Sequence, residues 1–221
     1  MIKLDPINTN APYVIFLIIL FIFGLARQLE GDRLQLFFRS FLNTNLVDQQ
    51  LRQERAFSRL AIFLFILVMM IIATYLTLYF HEIDLFLDFS FIGLFTGVIV
   101  SLAILTTFRV ALYSLLAWLF NLEALQQHHT FHWLLTNVVL CSIILPVSIV
   151  GFYGPTIIQS VFLQAGFWVI ITFYVIRILR IAYISSTDFR VPLAYNFLYI
   201  CALEILPLLV IATVISRQFV G

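Results

Sequence analysis

Apolar residues fall into six long stretches, at about 11–26, 60–80, 89–108, 132–150, 156–178 and 194–215, separated by more polar connections. Each is close to the roughly 20 residues that a helix needs to cross a hydrocarbon core about 30 Å thick. None shows the ten-residue alternation of a barrel strand. In lipid every backbone N–H and C=O must be satisfied within its own segment, so the stretches predict helices. The expectation is an all-α, polytopic transmembrane helix bundle of about six spans with interfacial amphipathic helices. Neither a Gly/Ser-rich linker nor an internal repeat divides it, so residues 1–221 read as one integral membrane domain.

The polar connections carry their own patterns. Within 27–59, Leu34, Phe37, Phe38, Phe41 and Leu42 recur at helical spacing while Arg33, Gln35, Arg39 and Ser40 fall mostly elsewhere, which predicts an amphipathic helix lying in the interface. Asn43, Thr44 and Asn45 break it, and Asn45 with Asp48 resembles the capping pair of a second, polar helix leading into the next span. Residues 109–120 are apolar but only about a dozen long, too short to cross. They predict a second interfacial helix with Trp118 at headgroup depth; the alternative is a re-entrant or shifted third span. Pro146 predicts a kink, and Gly151-Phe152-Tyr153-Gly154-Pro155 a short external turn.

Composition supports the membrane reading: 63% of residues are hydrophobic and 10% charged, against about a quarter charged in an ordinary soluble domain. Net charge is +1, which argues against nucleic acid as a partner. The cations are unevenly placed. With the spans threaded alternately, Arg27, Arg33, Arg39, Arg52, Arg55, Arg59, Arg109, Arg177, Arg180 and Arg190 fall on one side, and only Lys3 and Arg217 on the other. Cationic loops stay cytoplasmic, so both termini are expected on the periplasmic side. Arginines following the first apolar stretch also mark it as a membrane helix rather than a secretory signal. The run Arg27–Arg59 reads as an anchor for anionic lipid headgroups, with a docking surface for a partner as the alternative.

Few residues offer chemistry. Glu204 lies about ten residues into the last stretch, near mid-membrane, where a carboxylate costs about 3 kcal/mol to insert. Pro207 frees a backbone carbonyl about one turn earlier. Glu204 reads either as a proton- or cation-binding group or as a protonated or arginine-paired residue that locks helix packing. Arg177 and Arg180 share a helix face; they snorkel to headgroups, or Arg177 with Arg109 reaches inward toward Glu204 or another anion. Asn137 and Gln164 are candidates to line a polar cavity, or to hydrogen-bond within the bundle.

Gly93, Gly97 and Ser101 form a small-residue stripe suited to close helix packing. His128, His129 and His132 are weak metal candidates, since zinc needs three or four ligands, and they read first as a polar turn ahead of the fourth span. Cys141 and Cys201 lie in apolar runs and read as small buried hydrophobes. No nucleophile elbow, H-E-x-x-H or phosphate-loop motif occurs, and no cofactor is expected.

Two stretches, Leu36-Phe37-Phe38-Arg39-Ser40-Phe41-Leu42-Asn43 and Tyr199-Ile200-Cys201-Ala202-Leu203-Glu204-Ile205-Leu206-Pro207-Leu208-Leu209, resemble a multi-pass family of Bacteroidota, domain of unknown function 4271. The resemblance implies an inner-membrane location in a Gram-negative envelope and brings no activity, substrate or cofactor with it. The functional expectation is a non-catalytic inner-membrane subunit or assembly partner working with other membrane proteins. The alternative is a small proton-coupled transporter using Glu204.

Overall fold

The computed structural model describes residues 10–42, 59–83, 90–120 and 123–187. They form five helices, α1 (Asn10–Leu42), α2 (Arg59–Glu82), α3 (Phe91–Phe120), α4 (Glu123–Tyr153) and α5 (Thr156–Thr187), and no strand. Each contains a stretch long and apolar enough to cross a membrane: Ala11–Gln28, Ala61–Glu82, Phe91–Leu119, Thr130–Tyr153 and Ile158–Arg180. The expected sixth span at 194–215 and the polar helix beginning at Asn45 lie outside the described residues.

Local chemistry starts these helices where sequence rules place them. Pro12 falls in the first turn of α1, where its missing N–H forfeits no helical bond. Ser90 caps α3: its Oγ accepts from Gly93 N at 3.2 Å and its carbonyl from Leu94 N at 2.9 Å. Pro155 opens α5, its carbonyl accepting from Ile158 N and Gln159 N. Gly154 precedes it because a Cβ there would stand 2.6 Å from the Val150 carbonyl oxygen.

Four boundaries differ from expectation. α1 continues without interruption to Leu42, and α3 runs through Arg109 to Phe120, so neither changes into a separate interfacial helix. Ala26-Arg27-Gln28-Leu29-Glu30 and Arg109-Val110-Ala111-Leu112 contain no breaker, and backbone hydrogen bonding does not stop where the surroundings change from lipid to water. α3, with 30 residues, is about 45 Å long at 1.5 Å per residue, well beyond a 30 Å hydrocarbon core. α4 likewise continues to Tyr153, leaving only Gly154 and Pro155 as the turn, and begins at Glu123, so the histidines sit in helix rather than in a turn.

The described residues divide into two compact units. One holds α1, α2, α3 up to Ala103, and residues 130–173; the other holds 104–120, 123–129 and 174–187. In the first, α2 supplies the stripe Leu64, Leu67, Val68, Ile71, Tyr75 and Leu78, at the three- and four-residue spacing of one helix face. It packs against Ile15, Phe16 and Ile19 of α1 and Leu134, Val138, Cys141 and Ile144 of α4, with Leu163 of α5 and Phe91 of α3 completing the core. Tyr13 and Phe16 near the start of α1 meet Phe152 and Tyr153 at the end of α4, with ring centroids 5.3 to 6.2 Å apart.

The outward faces are equally apolar. Leu17, Phe21, Ile62, Ile92, Val100 and Trp168 are all exposed, a distribution that water would not tolerate on this scale and lipid would. Hydroxyls are accommodated by bonding back onto the helix that carries them: Thr74 to Met70 O, Thr77 to Ala73 O, Thr96 to Ile92 O, Ser101 to Gly97 O, Ser142 to Val138 O, Ser148 to Ile144 O and Thr172 to Trp168 O. Each O–H finds an acceptor with no water needed.

Candidate functional site

The polar chemistry of the first unit gathers where α2, α4 and α5 meet. Tyr75 is completely buried, and its hydroxyl donates to the Leu163 carbonyl of α5, which answers the need of a buried phenol for a partner. The approach is possible because residue 166 is glycine. A Cβ there would stand 2.7 Å from Tyr75 Cε2 and 2.9 Å from Val147 Cγ1. Tyr79, one turn beyond Tyr75, stacks flat on Phe167 with centroids 5.1 Å apart. Gly151 admits Leu163 in the same way, its hypothetical Cβ lying 2.9 Å from Leu163 Cδ2.

Nearby, Cys141 Sγ donates to Val68 O at 3.8 Å, so Cys141 is the buried small residue its sequence context predicts. A cavity of about 30 Å³ is lined by Phe23, Leu64, Leu67, Ile71, Val138, Cys141, Ser142 and Leu145. Its lining is nearly all apolar, so it offers an entering ion no coordination.

The second unit contains charge. On α3, Arg109 stands 5.2 Å over the ring of Tyr113, four residues on, and its Nη2 donates to Tyr113 Oη at 2.8 Å. On α5, Arg177 stands 5.5 Å over the ring of Tyr174, three residues earlier, and is itself only 7% exposed. Both pairs use helical spacing to lay a guanidinium on an aromatic face, an arrangement that grows stronger as water is removed. Arg180 is half-buried.

The other sequence candidates separate. Asn137 is buried, as a polar lining residue would be, but Gln164 is exposed on α5, one residue from fully buried Leu163 and so about 100° away around the helix. Gln159, which the sequence reading passed over, is buried instead. Gln159, Leu163, Gly166 and Arg177 fall on one stripe of α5, and the seven-residue step between Gln159 and Gly166 was the available signal.

Gly93, Gly97 and Ser101 share an exposed face of α3, and a Cβ placed on Gly97 would meet nothing within 4 Å. The stripe therefore does not pack helices within the described chain; Gly151 and Gly166 do. His132 is buried near the start of the α4 crossing, and His128 and His129 precede it in the helix. No group of three His, Cys, Asp or Glu residues positioned to hold a metal occurs among the described residues. Glu204, Pro207 and Cys201 lie outside the described residues.

Comparison with known proteins gives one result. A family model described as domain of unknown function (DUF4271) matches residues 13–215. No curated protein and no solved structure matches the chain. The match takes in the five helices of the fold except the first three residues of α1, together with the two stretches that carry the resemblance, and the chain belongs to the DUF4271 family.

Proposed function

We propose that this chain is a non-catalytic, six-span protein of the inner membrane of a Bacteroidota envelope, a subunit or assembly partner of a larger membrane complex. Both termini face the periplasm, and the arginines between Arg27 and Arg59 hold anionic headgroups on the cytoplasmic side. The observation that carries the reading is the contrast among glycines. Gly151 and Gly166 are filled against by neighbouring side chains, whereas among the described residues nothing covers the Gly93–Gly97–Ser101 face of α3. Small residues repeated every four positions let a second helix approach closely. The tightly packed, self-bonded interior of the first unit supports an architectural role in the same direction.

Affinity purification in a gentle detergent followed by mass spectrometry tests this reading. A stoichiometric membrane partner, reduced by Gly97→Leu, is the expected result; repeated recovery of the chain alone overturns it. A proton-coupled transporter would instead lose its cellular role with Glu204→Gln while folding normally. Orientation is tested separately by a C-terminal alkaline phosphatase fusion, which should be active, since that enzyme matures only outside the cytoplasm.

A further inference from the structure

Pro146 stands inside the α4 crossing, which runs Thr130–Tyr153. Having no N–H, it cannot donate to the Ser142 carbonyl one turn earlier, so the helix lacks one rung of its bonding ladder there. Two neighbours act on the same stretch. Ser142 Oγ donates to Val138 O at 2.9 Å and Ser148 Oγ to Ile144 O at 2.8 Å, and hydroxyls bonded back by four residues in this way bend helices. Three features that weaken or bend a helix thus fall between Ser142 and Ser148.

The space beside this turn is unfilled. Cys141, Ser142 and Leu145 line the cavity of about 30 Å³, together with Phe23 of α1 and Leu67 of α2. Ser142 therefore carries the carbonyl that proline leaves without its helical donor and also borders the void. On either side of the turn α4 is packed closely. Toward Tyr153, Leu163 presses on Gly151, and the rings of Phe152 and Tyr153 meet Tyr13 and Phe16. Toward Thr130, Leu134 and Leu135 are buried in the core. Between them the contact with α2 includes only a long thiol bond, Cys141 Sγ to Val68 O at 3.8 Å.

We propose that α4 hinges at the turn Ser142–Pro146, its two packed parts tilting about it while the side chains of Cys141 and Leu145 move into the cavity. A close-packed interior resists such movement, because a displaced side chain meets another at once. Here the missing backbone bond lowers the cost of bending and the cavity supplies the room. The part ending at Tyr153 stays with Tyr13 and Leu163, so bending redirects the segment from Thr130 to Cys141. The hinge belongs to the fold of the first unit and needs no partner protein.

The test is hydrogen–deuterium exchange of the full chain in lipid nanodiscs, read amide by amide by mass spectrometry with fragmentation. In wild type the amides of 143–145 should exchange about fivefold faster than those of 134–136, the weight of one backbone hydrogen bond. Leu67→Phe extends into the cavity from α2 and leaves the backbone bonding of α4 unchanged; it should bring the two sets within about twofold of each other. Pro146→Ala restores the missing donor and should do likewise. Equal protection of 143–145 and 134–136 in wild type overturns the proposal, and that arm needs no variant to fold. Exchange at 143–145 that stays fast in monodisperse Leu67→Phe also overturns it, since fraying beside a proline would not sense a change on α2.

Discussion

α2 and α3 are both apolar along their length, and each is long enough to cross a membrane, yet they occupy opposite situations. Half of the α2 crossing is buried, against 17% of the α3 crossing. Hydrophobicity does not separate them, because lipid satisfies an apolar side chain as well as a protein core does. The difference lies in what interrupts the apolar pattern. α2 carries Tyr75, which requires an acceptor and finds one on α5, and Thr74 and Thr77, buried with their hydroxyls turned back on the helix. α3 carries Gly93, Gly97 and Ser101, which make close approach possible but exert no pull. Within the first unit, α2 is tied inward by a hydroxyl whose acceptor lies on another helix, and the small residues of α3 make no such bond.

The comparison is most exposed at glycine. Gly166→Val should cost about 3 kcal/mol, as overpacking does in a filled site, and lower the melting temperature in detergent; a variant as stable as wild type would mean that α5 does not press on Tyr75. Tyr75→Phe keeps the ring and removes the bond to Leu163 O, for an expected loss of about 1 kcal/mol, read by the same thermal scan. Gly97→Ala should change stability by no more than about 0.5 kcal/mol, the range of a surface substitution. A Gly97→Ala effect as large as that at Gly166 would erase the distinction between the two regions.

Helix identity was legible in the sequence because hydrocarbon thickness sets a length that apolar stretches must meet, and five of the expected spans coincide with helices. Their ends were less legible. Arg27 and Arg109 mark a change of surroundings, not of backbone, and with no proline there the helix simply proceeds. Helix phase was harder still. When α5 is apolar on every side, nothing in the periodicity says which side is inward. Gln164 was therefore taken as lining although Gln159 is the buried glutamine. Likewise Gly166 has no small neighbour four residues away to announce it; its role depends on Tyr75, 91 positions earlier in the chain. Arg109 and Arg177 were visible as charges at span ends, but their rings at Tyr113 and Tyr174 became evident only through geometry.

The meeting of Tyr75 with Gly166 also governs what the first unit can do mechanically. A slip of α5 along α2 by one turn, about 5.4 Å, would bring Phe162 or Ile170 into the slot that glycine occupies and pull the Leu163 carbonyl away from the phenol. No intermediate offset preserves either the slot or the bond. The pair therefore acts as a keyed joint, fixed in translation, between α2 and the 156–173 part of α5.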